Sequence, residues 1–319
     1  MKNVLDLFFN NKIQEINDEI ANKNNVLLTN SAESHNLLLA SYIYNKKKDY
    51  VIYVTSNNYK ASKCYDSLVK INGYESVNLY LMGEVVASEV DAVSKEFVFE
   101  RLQTLSNIIK EEKKIIVTTI QAISKELIPF KGIKDSVVII KKNTIVNRND
   151  LISSLIKLGY RKVPTTSAVG DFSVRGEVID IFPLNETKPI RIDFFDDEIE
   201  RIIYFDKDNQ RTIKGDTLFE LSIYPNTELI YNKKEVLKKL DKCDDYNINQ
   251  DFLDIENYTY TERLFKYVKY MYDTTESILD YIRDKIVIFE NSDILYQSYS
   301  KTIEELYYFT ETKECKFYS

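Results

Sequence analysis

The segment Val26-Leu27-Leu28-Thr29-Asn30-Ser31-Ala32-Glu33-Ser34-His35 has the layout of a phosphate-binding loop without its chemistry. A short apolar run, a polar turn and an apolar-periodic stretch predict strand, loop and helix in that order. Phosphate binding at such a loop needs glycines that let the backbone N–H groups face the ligand, a Lys for the outer phosphates and a Ser or Thr for magnesium. Here the first glycine of the chain is Gly73, and Glu33-Ser34-His35 occupies the place of Gly-Lys-Ser/Thr. The Glu33 carboxylate would repel a phosphate at the helix start. On this segment alone, an ordinary strand–loop–helix unrelated to nucleotide binding is the better explanation. A second candidate end is Ile286-Val287-Ile288-Phe289-Glu290-Asn291, a buried-type strand closing on Glu-Asn where magnesium chemistry would want Asp-Glu.

Other catalytic material is scarce. His35 is the single histidine, which leaves nothing for His-based acid–base work or a His-rich metal site, and the helix start explains it. Cys64, Cys243 and Cys315 are odd in number, far apart and without metal-type spacing. The formal charge of -7 gives no electrostatic support to nucleic-acid binding, and Lys46-Lys47-Lys48 and Lys141-Lys142 read as solvated loops. The apolar run near Met1–Phe9 is too short for a signal peptide, and no segment is apolar for long enough to cross a bilayer. The expected location is cytoplasmic, with no membrane partner.

The elements that would position these groups fall into three stretches of the 319 residues. The first alternates: a helix from Asn36 to Tyr44, a strand at 50–55, a helix from Tyr59 to Ile71, a strand from Val77 to Leu81, a helix from Glu96 to Lys110, a strand at 114–119 and a helix from Ile120 to Leu127. That alternation predicts an α/β layer with a parallel sheet. Beyond Pro129 come a strand at 137–140 and a helix from Asn149 to Leu158, with Asn149 or Asp150 as N-cap. Short alternating strands follow at 172–182, 190–195 and 198–205, as in an antiparallel sheet. After Tyr224-Pro225 the pattern predicts helices at 233–240, 260–271 and 277–283, then the strand at 286–289. The expected organisation is an α/β domain in two parts, 1–133 and 229–319, interrupted by a β-rich (α+β) insertion over 134–228.

The insertion carries a recognisable series. Gly159-Tyr160-Arg161 is followed by Gly170-Asp171-Phe172-Ser173-Val174-Arg175-Gly176-Glu177-Val178-Ile179-Asp180-Ile181-Phe182-Pro183, and then by Arg191-Ile192-Asp193-Phe194-Phe195-Asp196-Asp197-Glu198. This resembles the UvrB-type module shared by the excision-repair protein UvrB and the N-terminal region of the transcription-repair coupling factors (Mfd). Two departures favour the second family. UvrB keeps a P-loop and follows its Tyr-Pro with an aromatic DNA-inserting hairpin; here both are missing, and Tyr224-Pro225 leads into Asn226-Thr227-Glu228 and a charged helix.

The resemblance implies a degenerate P-loop, helicase-like parallel-sheet domain around the insertion. Its nucleotide positions Ser31, Glu33, Ser34, Glu290 and Asn291 are then expected to be inactive, and no cofactor or metal is expected in this region. It also implies docking of the insertion onto UvrA, and no enzymatic activity in this region. The longer proteins of the family are ATP-dependent DNA translocases that meet RNA polymerase and DNA through other domains, so the chain reads as an N-terminal fragment. Carried over by resemblance, the binding residues are Arg161, Arg175, Arg191 and Asp193, with Phe182 as apolar support. UvrB has a further Arg where this chain has Ser173. Arginines beside aromatics suit charge-assisted docking. Pairing of Arg175 within the chain, to Asp193 or Asp180, is the bland alternative. The acidic run 196–198 reads as a solvated turn or as a contact within a longer protein. The rival functions are a UvrB-like DNA-binding repair protein, an ATP hydrolase with a divergent site and a structural scaffold.

Overall fold

The computed structural model describes residues 11–22, 25–29, 31–82, 95–240, 248–260 and 262–312. Cys243, Cys315, Asn30 and the apolar run at the N-terminus lie outside them. The chain forms two compact units, one from residues 1–125 with 277–319 and one from Glu126–Glu276. The expected boundaries at 134 and 228 fall inside the second unit, whose ends meet in a bridge between Leu127 and Glu276.

The first unit is built on a parallel sheet. β1 (Tyr50–Thr55), β2 (Val77–Tyr80), β3 (Ile115–Thr119) and a late strand, Lys285–Phe289, pair in the order late strand, β1, β3, β2. β1 is buried along its whole length because it has neighbours on both edges and helices on its faces. The helices α1 (Asn11–Ala21), α2 (Glu33–Lys47), α3 (Asn58–Asn72) and α4 (Lys95–Ile109) accompany this sheet. Leu37, Ile43, Val51, Leu68, Leu79 and Val117 belong to its core. Asn57 starts α3 by accepting from the Lys60 N–H.

Several expectations are corrected here. Residues 25–29 form no strand, and Val26, Leu27 and Leu28 are exposed. Three apolar residues in a row do not make a strand unless a neighbour accepts their backbone hydrogen bonds. The helix at 120 is only α5 (Ile120–Ile123), since Leu127 is spent on the bridge to Glu276. Residues 277–283 make a turn, because the Asp280 carboxylate accepts from both the N–H and the hydroxyl of Ser277.

The second unit holds α6 (Phe130–Asp135), β4 (Val138–Lys141) and α7 (Arg148–Lys157), then β5 (Arg161–Lys162), β6 (Asp171–Arg175), β7 (Val178–Ile181), β8 (Ile190–Phe195), β9 (Glu198–Phe205), β10 (Thr212–Leu218) and β11 (Glu220–Ile223). The strands from β10 back to β5 lie in consecutive order in one six-stranded sheet, antiparallel except for the β5–β6 pair. β11 pairs with β4 in a separate ribbon. Leu151 and Leu155 of α7 pack with Phe172, Ile179, Ile190, Ile192 and Ile202 in one core. The N-cap of α7 is Asn147, whose carbonyl oxygen accepts from the N–H groups of Asn149 and Asp150, the two residues expected to cap.

The recognised glycines have a mechanical reason. Gly159 and Gly170 both have positive φ, and a Cβ on either would run into Asn226. Asn226 is tied there by bonds from its N–H to Leu158 O and from its side chain to Gly159 O. Beyond it lie α8 (Lys233–Leu240) and α9 (Ile248–Asn257). The expected helix at 260–271 is a 3-10 segment (Glu262–Tyr267) running into α10 (Val268–Met271). In the first unit the chain then contributes the late strand, β12 (Lys285–Phe289), and α11 (Ser292–Thr312).

Candidate partner-binding face

Side chains alternate across a strand, and residues paired across strands share a face. The register therefore decides which of the candidate residues meet. Arg161 pairs with Asp171; Ser173 with Asp180, and Asp180 with Arg191; Arg175 with Val178, Val178 with Asp193, and Asp193 with Arg201. Arg161, Arg175, Arg191 and Asp193 thus stand on one face of the six-stranded sheet. The other face is apolar and meets α7. A bulge between Asp193 and Phe194 inserts Glu200 into β9, and beyond it Phe195 pairs with Glu198, which bridges to Ile145.

Each arginine on this face has an aspartate. Arg161 donates from Nε and Nη2 to Asp171 Oδ1 at 3.0 and 2.9 Å. Arg191 grips Asp180 with Nε to Oδ1 at 2.7 Å and Nη2 to Oδ2 at 2.9 Å, and Arg175 Nη2 reaches the same Oδ2 at 2.6 Å. Arg201 donates from Nε and Nη2 to Asp193 Oδ2 at 2.9 and 2.6 Å. The internal pairing of Arg175 foreseen as the bland alternative therefore exists, to Asp180. It does not consume the face, since two guanidinium groups, Arg191 and Arg175, share the one Asp180 carboxylate.

Burial separates the two arginines. Asp180 is 0% exposed, while the Arg191 side chain is 18% and the Arg175 side chain 48% exposed. Arg191 also lies over the Phe205 ring, 4.8 Å from its centroid, and its bond to Asp180 raises its pKa above the ordinary arginine value. The cover over Asp180 is local. Thr166 donates to Asp180 O, and Gln210 donates to Thr166 O. Gln210 also accepts from Arg175 through Oε1 and from Arg191 through its carbonyl. The chemistry on offer is a cationic donor at the surface of a sheet face that also carries an exposed aromatic ring.

That ring is Phe195. It is 73% exposed, while Phe182 is only 6% exposed and packs inside. Sequence reasoning overlooked Phe195, Arg201 and Gln210. The available signal for Phe195 was alternation, since Ile190, Ile192 and Phe194 take the core positions of β8 and leave Phe195 outward.

A family model described as UvrB interaction domain matches residues 138–229, the span from β4 to just beyond β11. Curated relatives match far more of the chain. The transcription-repair-coupling factor of Bacillus subtilis (strain 168) is 30% identical over 281 residues, covering 82% of this chain and 24% of the relative. That of Staphylococcus haemolyticus (strain JCSC1435) is 26% identical over 296 residues, covering 87% of this chain and 25% of the relative.

Residues 138–229 are thus similar to the UvrB interaction domain, and the chain as a whole to the transcription-repair-coupling factors. The chain spans about a quarter of the length of the curated relatives it matches. The polar face lies wholly within the matched residues 138–229.

The other residues singled out in the sequence lie in the first unit, around the carboxyl ends of β1 and β12. Glu290 forms an ion pair with Lys60 of α3 at 2.6 Å, its own side chain being nearly buried. Asn291 caps α11, its Oδ1 accepting from the N–H groups of Asp293 and Ile294. Ser31 donates to Asn36 Oδ1, and Glu33 Oε1 lies 3.9 Å from the Cys64 thiol. Ser34 is exposed on the first turn of α2. Burial, reinforced by Glu33 and Glu290, pushes the Cys64 thiol up to about 12 and leaves it protonated and a poor nucleophile near neutrality. Among the described residues no cluster of His, Cys, Asp and Glu is arranged to hold a metal ion. No helix among them is long and apolar enough to cross a membrane.

Proposed function

We propose that this chain is a non-catalytic docking module that binds UvrA through the polar face of its UvrB interaction domain and so links stalled transcription to nucleotide excision repair. The observation that carries the reading is Arg175, a half-exposed arginine that shares a buried aspartate with Arg191, on the sheet face that also carries the exposed ring of Phe195. Arginine and aromatic side chains on a rigid support are the residue types that concentrate binding energy at protein interfaces. The relatives' name and the matched domain support the same reading. RNA polymerase and DNA would be engaged by other parts of a longer protein.

The first unit serves this function as a scaffold in which a nucleotide site has been lost. Lys60 neutralises Glu290, Asn291 is committed to a helix cap, and no glycine or lysine stands at the turn before α2. Calorimetric titration of UvrA into the chain and into Arg175→Ala tests the proposal. Binding by the unmodified chain, weakened on the order of thirtyfold in the variant, is the expected result. Absence of binding by the unmodified chain overturns it.

A further inference from the structure

We infer that the docking surface continues beyond the six-stranded sheet onto the segment before α7, where Ile145 is a contact residue for an apolar pocket of UvrA. This rests on the docking reading above and adds a residue that the resemblance did not supply. Ile145 pairs with Glu198 in an isolated antiparallel bridge, and Glu198 pairs with Phe195. Directly opposed residues share a face, so the three form one cross-strand row on the polar side of the sheet. Burial agrees with that placement. The neighbours Val146 and Ile199 pack with the apolar core, whereas Ile145 is 83% exposed, and Phe195 and Glu198 are exposed as well.

The segment is held at several points. The Asn143 N–H donates to Ile199 O, the Ile199 N–H to Thr144 O and the Val146 N–H to Asp197 O. Asn147 then caps α7, and Arg148 Nη1 donates to Gly176 O in the turn between β6 and β7. A β-branched side chain on a fixed backbone has few conformations to lose when a partner covers it. Single exposed apolar residues are ordinary on a protein surface. Ile145 differs because it lies in register with the exposed Phe195 ring and is continuous with the docking face. The Glu198 carboxylate stands between the two apolar side chains, so the pocket that fits them is flanked by a basic group.

Calorimetric titration with UvrA, using the full chain and Ile145→Thr, tests the inference. Threonine keeps the branch at Cβ, and with it the preference for extended backbone, but replaces the ethyl arm by a hydroxyl. Binding is expected to weaken about tenfold, with a less negative heat-capacity change of binding and an unchanged denaturation midpoint. Ile145→Asp is expected to weaken it further. Leu253 of α9 is likewise exposed but lies outside the sheet, and Leu253→Gln is expected to bind at full strength.

Full affinity in Ile145→Thr overturns the inference, even if Ile145→Asp binds poorly, because an apolar contact must register the lost ethyl arm. A loss of affinity matched by a lower denaturation midpoint, or an equal loss in Leu253→Gln, overturns it as well. Each of these results leaves the docking reading standing. Failure of the unmodified chain to bind UvrA removes both.

Discussion

The carboxyl ends of the parallel sheet and the polar face of the antiparallel sheet are both rich in charged and hydrogen-bonding groups, yet they are organised to opposite effect. Around β1 and β12 the polar groups are matched locally: Lys60 with Glu290, Ser31 with Asn36, Asn291 with the first N–H groups of α11. On the antiparallel sheet two arginines share one buried aspartate, Asp180, and the more exposed of them, Arg175, is engaged through one nitrogen alone among the described residues. A polar cluster becomes a docking surface when donors stay unengaged on a rigid support. Where the groups satisfy one another, it is part of the scaffold.

The largest expected effect concerns the carboxylate that two arginines share. Asp180→Ala leaves Arg191 enclosed without its counter-ion, and the second unit should lose about 3–5 kcal/mol of unfolding free energy in denaturant titration. Asp193→Ala, whose partner Arg201 is largely exposed, should cost under about 1 kcal/mol. Equal losses would mean that burial does not rank these pairs.

The two phenylalanines sharpen the contrast between support and contact. Phe182→Ala should cost about 3–5 kcal/mol of stability, the usual range for a buried phenylalanine. Phe195→Ala should change stability by less than about 0.5 kcal/mol, yet weaken UvrA binding by about 2 kcal/mol in calorimetry. In the first unit, Lys60→Ala leaves the Glu290 carboxylate nearly buried and unneutralised. It should cost about 1–3 kcal/mol with no change in UvrA affinity. A loss of affinity in Lys60→Ala would break the division of roles.

The smallest effect is a pH dependence in the first unit. Burial, with Glu96 beside it, raises the pKa of Glu100 on α4. The folded state therefore holds this proton more tightly than the unfolded state. The associated stability is present below the ordinary carboxylate pKa and is lost as pH rises through the raised value. Glu100→Gln should flatten the melting temperature between about pH 4 and 7 and stabilise the protein near neutrality. An unchanged profile would show that the Glu100 environment does not matter.

The architecture was readable where one local rule dominated. Continuous apolar runs at 50–55 and 114–119 read as strands of a buried sheet, and the alternation at 190–195 placed β8. It failed where tertiary partners decided. Val26-Leu27-Leu28 has strand composition but no ladder, and Ser277–Arg283 has helical spacing but an Asp280 side chain that competes for the backbone. The arginines and Asp193 could be named from the motif. That Asp180 is shared, that Arg201 partners Asp193 and that Gln210 closes over both arginines depend on the register of β6 to β9 and on a turn near Asp206. No spacing along the chain encodes either.

Hydrogen exchange of the chain with and without UvrA tests the central claim most directly, because it reads both regions in one experiment. The account predicts added protection across β6 to β9, strongest at the hairpin ends near Arg175 and Phe195, and none around β12, α3 or the start of α11. Protection centred on the Lys60–Glu290 region, or no protection in β6 to β9, would contradict it.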